Sequence, residues 1–310
     1  FSRPSALDYA NELLGLDVAL FNANGSLWGR TRKATAPSFS LLNITSKFQK
    51  INEEMLSWIE RLQMQIQPQK KKGISVDMRY EAFTLTIRTL TAVAFGLDTD
   101  SGNDITSSSL SSCNKNTTNS HLSDYFFSIT FKEDVEKIFG LQRESALFGL
   151  PRFLWKYSRY YKYEVAAREA NQRFTDACKR VIEHKRQFWR DQGGLTPLSE
   201  GRERNRPTSM LDSLLAQEVA NSDSGGMTAS SKLMNDDELI SNVKIVYIAG
   251  TDTTAVTITW LVYYSALYPE YLQRIRDETK RVLFSSVSDD SNQTFQEVLS
   301  NMKQVLSDLS

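Results

Sequence analysis

The sequence predicts a mainly α-helical fold. Three observations carry that expectation: apolar residues recur at helical spacing, one long apolar run is bracketed by a capping signal and a proline, and stretches rich in Gly, Ser, Asn and Asp separate the periodic blocks.

Near the start, "GSLWGRTRKATAPSFS" places Trp28 and Arg32 four residues apart. On a helix they share one face and present an indole N–H and a guanidinium together. Two such donors suit a carboxylate; the alternative is a surface cation–π pair. Phe48, Ile51, Met55, Trp58, Ile59 and Leu62 form an apolar stripe, and Phe174, Ala177, Cys178, Val181 and Ile182 form another. Cys178 is therefore expected in the core rather than as a ligand or nucleophile.

The stretch 243–264 is dense in β-branched residues, which permits a hairpin. Its punctuation favours a helix. Asn235 and Glu238 have the spacing of a capping box, and Pro269 follows Tyr268 as a stop. One helix over about 236–267 results, about 48 Å long. Inside it lies "AGTDTT" (249–254). Gly250 and the hydroxyls of Thr251, Thr253 and Thr254 predict a local kink or widening. Gly250 also lets a flat object approach the backbone, while Asp252 and Thr253 supply an acid and a hydroxyl able to pass protons. The alternative is a close helix crossing at Ala249 and Gly250, with Asp252 merely hydrogen-bonded.

The 37 basic residues balance 37 acidic ones among 310, which points away from nucleic acid or an acidic membrane surface as the main partner. Two cysteines, Cys113 and Cys178, suit a reducing compartment. His121 and His184 are too far apart and too poorly partnered to suggest a metal site. With no run of 18 or more apolar residues, no membrane span is expected in this segment. Surface loops are expected at 99–120, 191–209 and 221–231 within one partial domain, 1–310. The chain opens on Phe1 and stops at Ser310 just after helical-looking sequence, so the expectation is part of a longer protein.

Taken in order, these features resemble the cytochrome P450 family. "AGTDTT" fits its distal-helix pattern A/G-G-x-D/E-T-T/S, and "ALYPEYLQRIRDE" is similar to the continuation of that helix. Trp28 and Arg32, followed by Pro37 and Phe39, resemble the family's W-x-x-x-R helix and P-x-F. "FTLTIRTLTAVAFG" (83–96) is similar to its helix ending in AFG, and "SRP" near the start resembles the pair preceding its substrate-contacting loop.

The resemblance implies a partial cytochrome P450 fold with 236–267 as the central distal helix, haem b beneath it, and O2 and an apolar small-molecule substrate between. Thr253 would hydrogen-bond the oxygen over the iron and Asp252 would help deliver protons. Ala249 and Gly250 would line the pocket floor, and Trp28 and Arg32 would bind a haem propionate. Tyr247 and residues around 15–25 are further pocket candidates. Electrons would come from NADPH through a flavin reductase, NADPH–cytochrome P450 reductase or similar. The full-length protein would sit on the cytosolic face of the endoplasmic reticulum, anchored outside this segment. The run 151–174 resembles members that hydroxylate long-chain lipids.

The family's axial ligand is a cysteine thiolate after the distal helix, and no cysteine follows Cys178. Its E-x-x-R pair also belongs there, whereas the matches here, Glu183 with Arg186 and Glu203 with Arg206, precede it and read as chance. The leading expectation is thus a monooxygenase fragment, inactive alone. The competing ones are a catalytically inactive, helical binding module without haem, and an unrelated helical scaffold.

Overall fold

The computed structural model describes residues 8–66, 76–97, 125–148, 154, 156–158, 161–192, 195, 207–222 and 234–284. Among these residues all regular structure is helical, as periodicity predicts. In chain order the helices are α1 (Asp8–Leu14), α2 (Gly25–Thr35), a 3-10 turn (Ala36–Phe39), α3 (Leu41–Ser46), α4 (Phe48–Ile66) and α5 (Met78–Ala94). They continue with α6 (Ile129–Phe148), α7 (Tyr161–Asp191), α8 (Met210–Ser222), α9 (Asp236–Leu267) and α10 (Pro269–Phe284). The expected loop at 99–120 lies outside the described residues, as do most of 191–209 and 221–231; residues 221 and 222 belong to α8. The chain divides into two compact units, Phe1–Ser40 with Ile87–Thr251 and Leu41–Thr86 with Asp252–Ser310, so the division falls inside α5 and α9.

The bounds of α9 are those the sequence predicts. The N–H of Glu238 donates to Asn235 Oδ1 at 2.8 Å, and the N–H of Asn235 donates back to Glu238 Oε2 at 3.1 Å. That capping box, with three acids in the first turn, complements the positive end of the helix dipole. In the first half of the helix Val243, Ile245, Ile248 and Thr251 are buried, and those tertiary contacts outweigh their weak helix propensity. By length and composition α9 is also long and apolar enough to cross a membrane. The run-length criterion missed this because Lys244, Gly250 and Asp252 interrupt the apolar residues. Its first half is the buried core helix of the first unit.

In that unit Tyr247 is fully buried, stacked on Phe95 at 4.4 Å and on Phe126 at 4.3 Å, with Phe131 and Phe174 meeting it edge-on. Its hydroxyl lies 3.3 Å from that of Thr91. Tyr247 is thus an aromatic core residue and not the pocket residue expected from the sequence: a helix buried on all sides gives no apolar stripe from which to tell a core face from a pocket face. Across α6 and α7, Arg173 donates to both oxygens of Asp134 at 2.6 and 2.9 Å, and Tyr125 donates to the same carboxylate at 2.9 Å. Burial alone would raise the Asp134 carboxyl, but those donors hold it below its usual value. Cys178 is buried on α7, and burial pushes its thiol up. Cys113 lies outside the described residues.

The loop after α1 is stitched to α9. Leu20 N–H donates to Asn242 Oδ1 at 2.9 Å, and the Lys244 ammonium donates to Leu14 O at 2.9 Å and to Asn171 Oδ1 at 2.7 Å. Gly15 turns this loop at a φ of 63°, a left-handed conformation that favours glycine. Burial pushes the Lys244 ammonium from 10.5 down to about 8. A depressed folded-state value for a base means the charged form costs stability, fully so below about 8, and the cost is relieved as pH rises toward 10.5. Wild type should therefore gain roughly 2–3 kcal/mol on a Lys244→Met variant between pH 7 and 10. Urea unfolding of both proteins across that range tests it. The raised Tyr125 and Tyr247 slope the other way but do so in both proteins, so they cancel in the difference, and Cys178, whose thiol the Lys244 charge draws down, is replaced by alanine in both. A constant difference would mean that Lys244 does not titrate in this window.

The second unit holds α3, α4, the start of α5, the end of α9 and α10. Gln65 of α4 donates to Glu81 of α5 at 3.3 Å. On α9, on α10 and at Tyr268 between them, Trp260, Leu261, Tyr263, Tyr264, Tyr268 and Tyr271 are exposed.

Candidate functional site

The six residues 249–254 lie in α9, where α-helical structure runs unbroken. The predicted widening is absent. Further along the helix, Thr257 Oγ1 donates to Thr253 O at 2.9 Å and Thr259 Oγ1 to Ala255 O at 2.7 Å. Thr251 is wholly buried, and its hydroxyl has no hydrogen-bond partner among the described residues.

A Cβ added to Gly250 would lie 3.1 Å from both methyl carbons of Leu90. Glycine here serves a close approach of α5 to α9, which a methyl group would push apart. The expectation that this glycine opens the backbone to a flat ligand is corrected on its Cβ side, which Leu90 takes. Ala249 is half-buried, and helical spacing puts it on the same face as Thr253, which is exposed together with Thr254. Asp252, one residue before Thr253, has its carboxylate 3.6 Å from the guanidinium of Arg79 in the first turn of α5.

On α2, Thr31, Ala34 and Thr35 are buried and fix which side faces inward. Arg30 reaches Glu238 at 2.6 Å and ties α2 to the first turn of α9. Trp28 and Arg32 stand outward, Trp28 with 40% of its surface exposed, and the Arg32 guanidinium lies 5.5 Å over the indole ring. The shared face read from the sequence is present, in the cation–π arrangement. No carboxylate of a described residue pairs with Arg32. Two adjacent exposed donors, one cationic, fit a carboxylate such as a haem propionate.

Glu183 and Arg186 pair at 3.7 Å as neighbours on the surface of α7, and Arg186 also pairs with Asp236. Glu203 and Arg206 lie outside the described residues. Among the described residues no group of three or more His, Cys, Asp or Glu side chains is arranged to hold a metal ion.

Sequence reasoning missed Leu90, Arg30 and Arg79. The last carried a readable signal: a base in the first turn of a helix opposes the dipole, so Arg79 needs a tertiary reason to stand there. Leu90 and Arg30 had none, because an aliphatic residue and an arginine on helices are ordinary.

The cytochrome P450 family profile matches residues 3–303. The chain is 23% identical over 269 residues to "Cytochrome P450 4F3" of Mus musculus, covering 86% of this chain and 44% of that protein. It is 30% identical over 113 residues to "Cytochrome P450 4Z1" of Homo sapiens, covering 36% of this chain and 20% of that one. A solved structure, "Crystal structure of a Cytochrome P450 (CYP102L1)", superposes with a TM-score of 0.58 at 12% identity, covering 99% of this chain and 57% of the other. Where they match across most of this chain, the chain spans about half the length of the curated relatives, as with the 44% of the mouse protein.

Proposed function

Since this chain belongs to the cytochrome P450 family, we propose that it is the distal portion of a haem monooxygenase that places one oxygen atom of O2 into an apolar small molecule. The observation that carries the reading is the outward-facing Thr253 next to Asp252 on a helix of the family's distal type. Bound haem supplies the redox chemistry, activation of dioxygen at iron. Trp28 and Arg32 hold a propionate from the exposed face of α2. Thr253 holds a proton at Oγ1 and Asp252 replenishes it, while Ala249 and Gly250 form part of the pocket floor. An apolar substrate, for which a long-chain lipid is our preferred class, excludes water beside them. NADPH supplies electrons through a flavin reductase at the cytosolic face of the endoplasmic reticulum.

Haem retention tests the reading at the α2 end. Trp28→Ala with Arg32→Ala removes two donors, each charge-assisted bond being worth about 1.5–3 kcal/mol. Haem affinity of the full-length protein should fall on the order of 10²-fold or more. Haem per protein after gel filtration measures it; full occupancy in the double variant would return the pair to a surface cation–π contact.

A further inference from the structure

We propose that Trp260, Tyr264, Tyr268 and Tyr271 form an electron relay from the Thr253 face of α9 to solvent, which reduces the haem centre when a turnover meets no substrate. The relay rests on the haem reading above and gives the compact unit that holds Thr253 a second, protective function.

The four rings follow one another in contact. Trp260 and Tyr264, four residues apart on α9, stack with centroids 5.6 Å apart, and Tyr264 stacks on Tyr268 at 6.3 Å. Tyr268 meets Tyr271 of α10 edge-on at 6.1 Å. Tyr263 bridges the first step, 5.6 Å from Trp260 and 5.4 Å from Tyr264. Each separation lies within the range of paired aromatic rings, about 4.5–7 Å, so an electron passes from ring to ring without a gap. The backbone fixes the turn between the helices: Tyr268 N–H donates to Tyr264 O at 2.9 Å and Tyr271 N–H to Tyr268 O at 3.1 Å. Trp260 follows Thr253 by seven residues, two helical turns or about 10 Å, and so stands on the same face.

Composition separates a relay from simple packing. Phenylalanine is commoner in this chain, 16 against 12 tyrosines and 5 tryptophans, and would stack as well. Yet these five rings are all indoles or phenols, the aromatic side chains that give up one electron most readily. The cluster in the first unit is the reverse: four phenylalanines surround Tyr247, and all five rings are buried. Here every ring is exposed, Tyr271 by 56%. The Arg274 guanidinium, 5.9 Å over Tyr271, opposes positive charge on that ring, so the phenol sheds its proton to water with its electron.

A turnover that inserts no oxygen leaves the haem centre two electrons short. Trp260 gives it one electron, and the indole proton leaves to water. Tyr264, Tyr268 and Tyr271 then each pass an electron inward and lose a phenolic proton, while the ring refilled regains a proton. A small thiol refills Tyr271, and two passes join two thiols as one disulfide. Overall O2, NADPH, one proton and two thiols become two waters, NADP+ and a disulfide.

The experiment uses the full-length holoenzyme as wild type, Trp260→Phe, Tyr264→Phe and Tyr268→Phe, with Tyr247→Phe as a control off the relay. Hydrogen peroxide is added without substrate. Freeze-quench EPR reads tyrosyl radical, peptide mass spectrometry reads which rings are oxidised, and Soret absorbance reads haem bleaching. Wild type and Tyr247→Phe should show a tyrosyl signal and oxidation at Tyr268 and Tyr271. Trp260→Phe should lose both and bleach faster. Oxidation should halt at Trp260 and Tyr263 in Tyr264→Phe, and at Tyr264 in Tyr268→Phe. An added thiol should slow bleaching in wild type and in none of the three relay variants. Tyr271 oxidation that survives in all three, thiol protection retained in Trp260→Phe, or a haem-loaded wild type without tyrosyl radical overturns the relay and leaves the haem reading standing. A wild type that holds no haem overturns that reading, and this inference with it.

Discussion

The full-length enzyme carrying Thr253→Ala is expected to consume NADPH at close to the wild-type rate while product falls by about 10²-fold or more, hydrogen peroxide accounting for the difference. The patch 249–254 holds three threonines, and the structure separates them. Thr251 is sealed in the first unit, whereas Thr253 and Thr254 are exposed on α9. Of the exposed pair, Thr253 shares a face with Ala249. Alanine is the better helix former, so the variant should fold at least as well as wild type, and a loss of product cannot be charged to a damaged helix. Thr257→Ala is the control, since that hydroxyl is committed to Thr253 O at 2.9 Å, and it should leave the ratio unchanged. Product and peroxide per NADPH are the measurements. An unchanged ratio in Thr253→Ala would remove its hydroxyl from the chemistry.

How far the sequence reveals this molecule depends on how local each determinant is. The start of α9 was legible because a capping box is a contact between residues three apart, and Pro269 ends the run by its own ring. The common face of Trp28 and Arg32 was legible for the same reason, as a spacing of four within one helix. The fillers were not. Leu90 against Gly250, Arg79 beside Asp252 and Phe126 against Tyr247 join positions more than a hundred residues apart, and no periodicity records which helices meet. Reading Tyr247 as a pocket residue failed because α9 is buried on nearly all sides there. Reading a widening into the threonine cluster failed because α-helical structure runs unbroken through 249–254, where Gly250 packs on Leu90 and Thr251 is buried.

A comparably large effect is expected far from that patch, in Asp212→Ala, which should lose about 3–5 kcal/mol of stability. Asp212 is fully buried at the start of α8 and serves several donors at once. Its Oδ2 accepts the N–H of Ser209 at 3.0 Å, the N–H of Thr208 at 3.3 Å and the hydroxyl of Thr208 at 3.2 Å. Its Oδ1 accepts the indole N–H of Trp189 at 2.7 Å and lies 3.4 Å from the Lys185 ammonium, itself only 6% exposed. Ser209 Oγ accepts the N–H of Asp212 in return at 3.1 Å, closing a reciprocal cap. The space around Lys185 is tight as well: Gly96, at a φ of 59°, would bring a Cβ within 3.0 Å of its nitrogen. Truncating Asp212 therefore strands the buried Lys185 ammonium and the buried N–H of Ser209, the costly way to break such a pair. Asp212→Asn with Lys185→Met removes both charges while keeping an acceptor for the cap, and should lose less than Asp212→Ala alone. Urea midpoints of the three proteins decide it. A loss below about 1 kcal/mol in Asp212→Ala, the range of exposed pairs, would mean that solvent reaches the pair and that it does not hold α7 against α8.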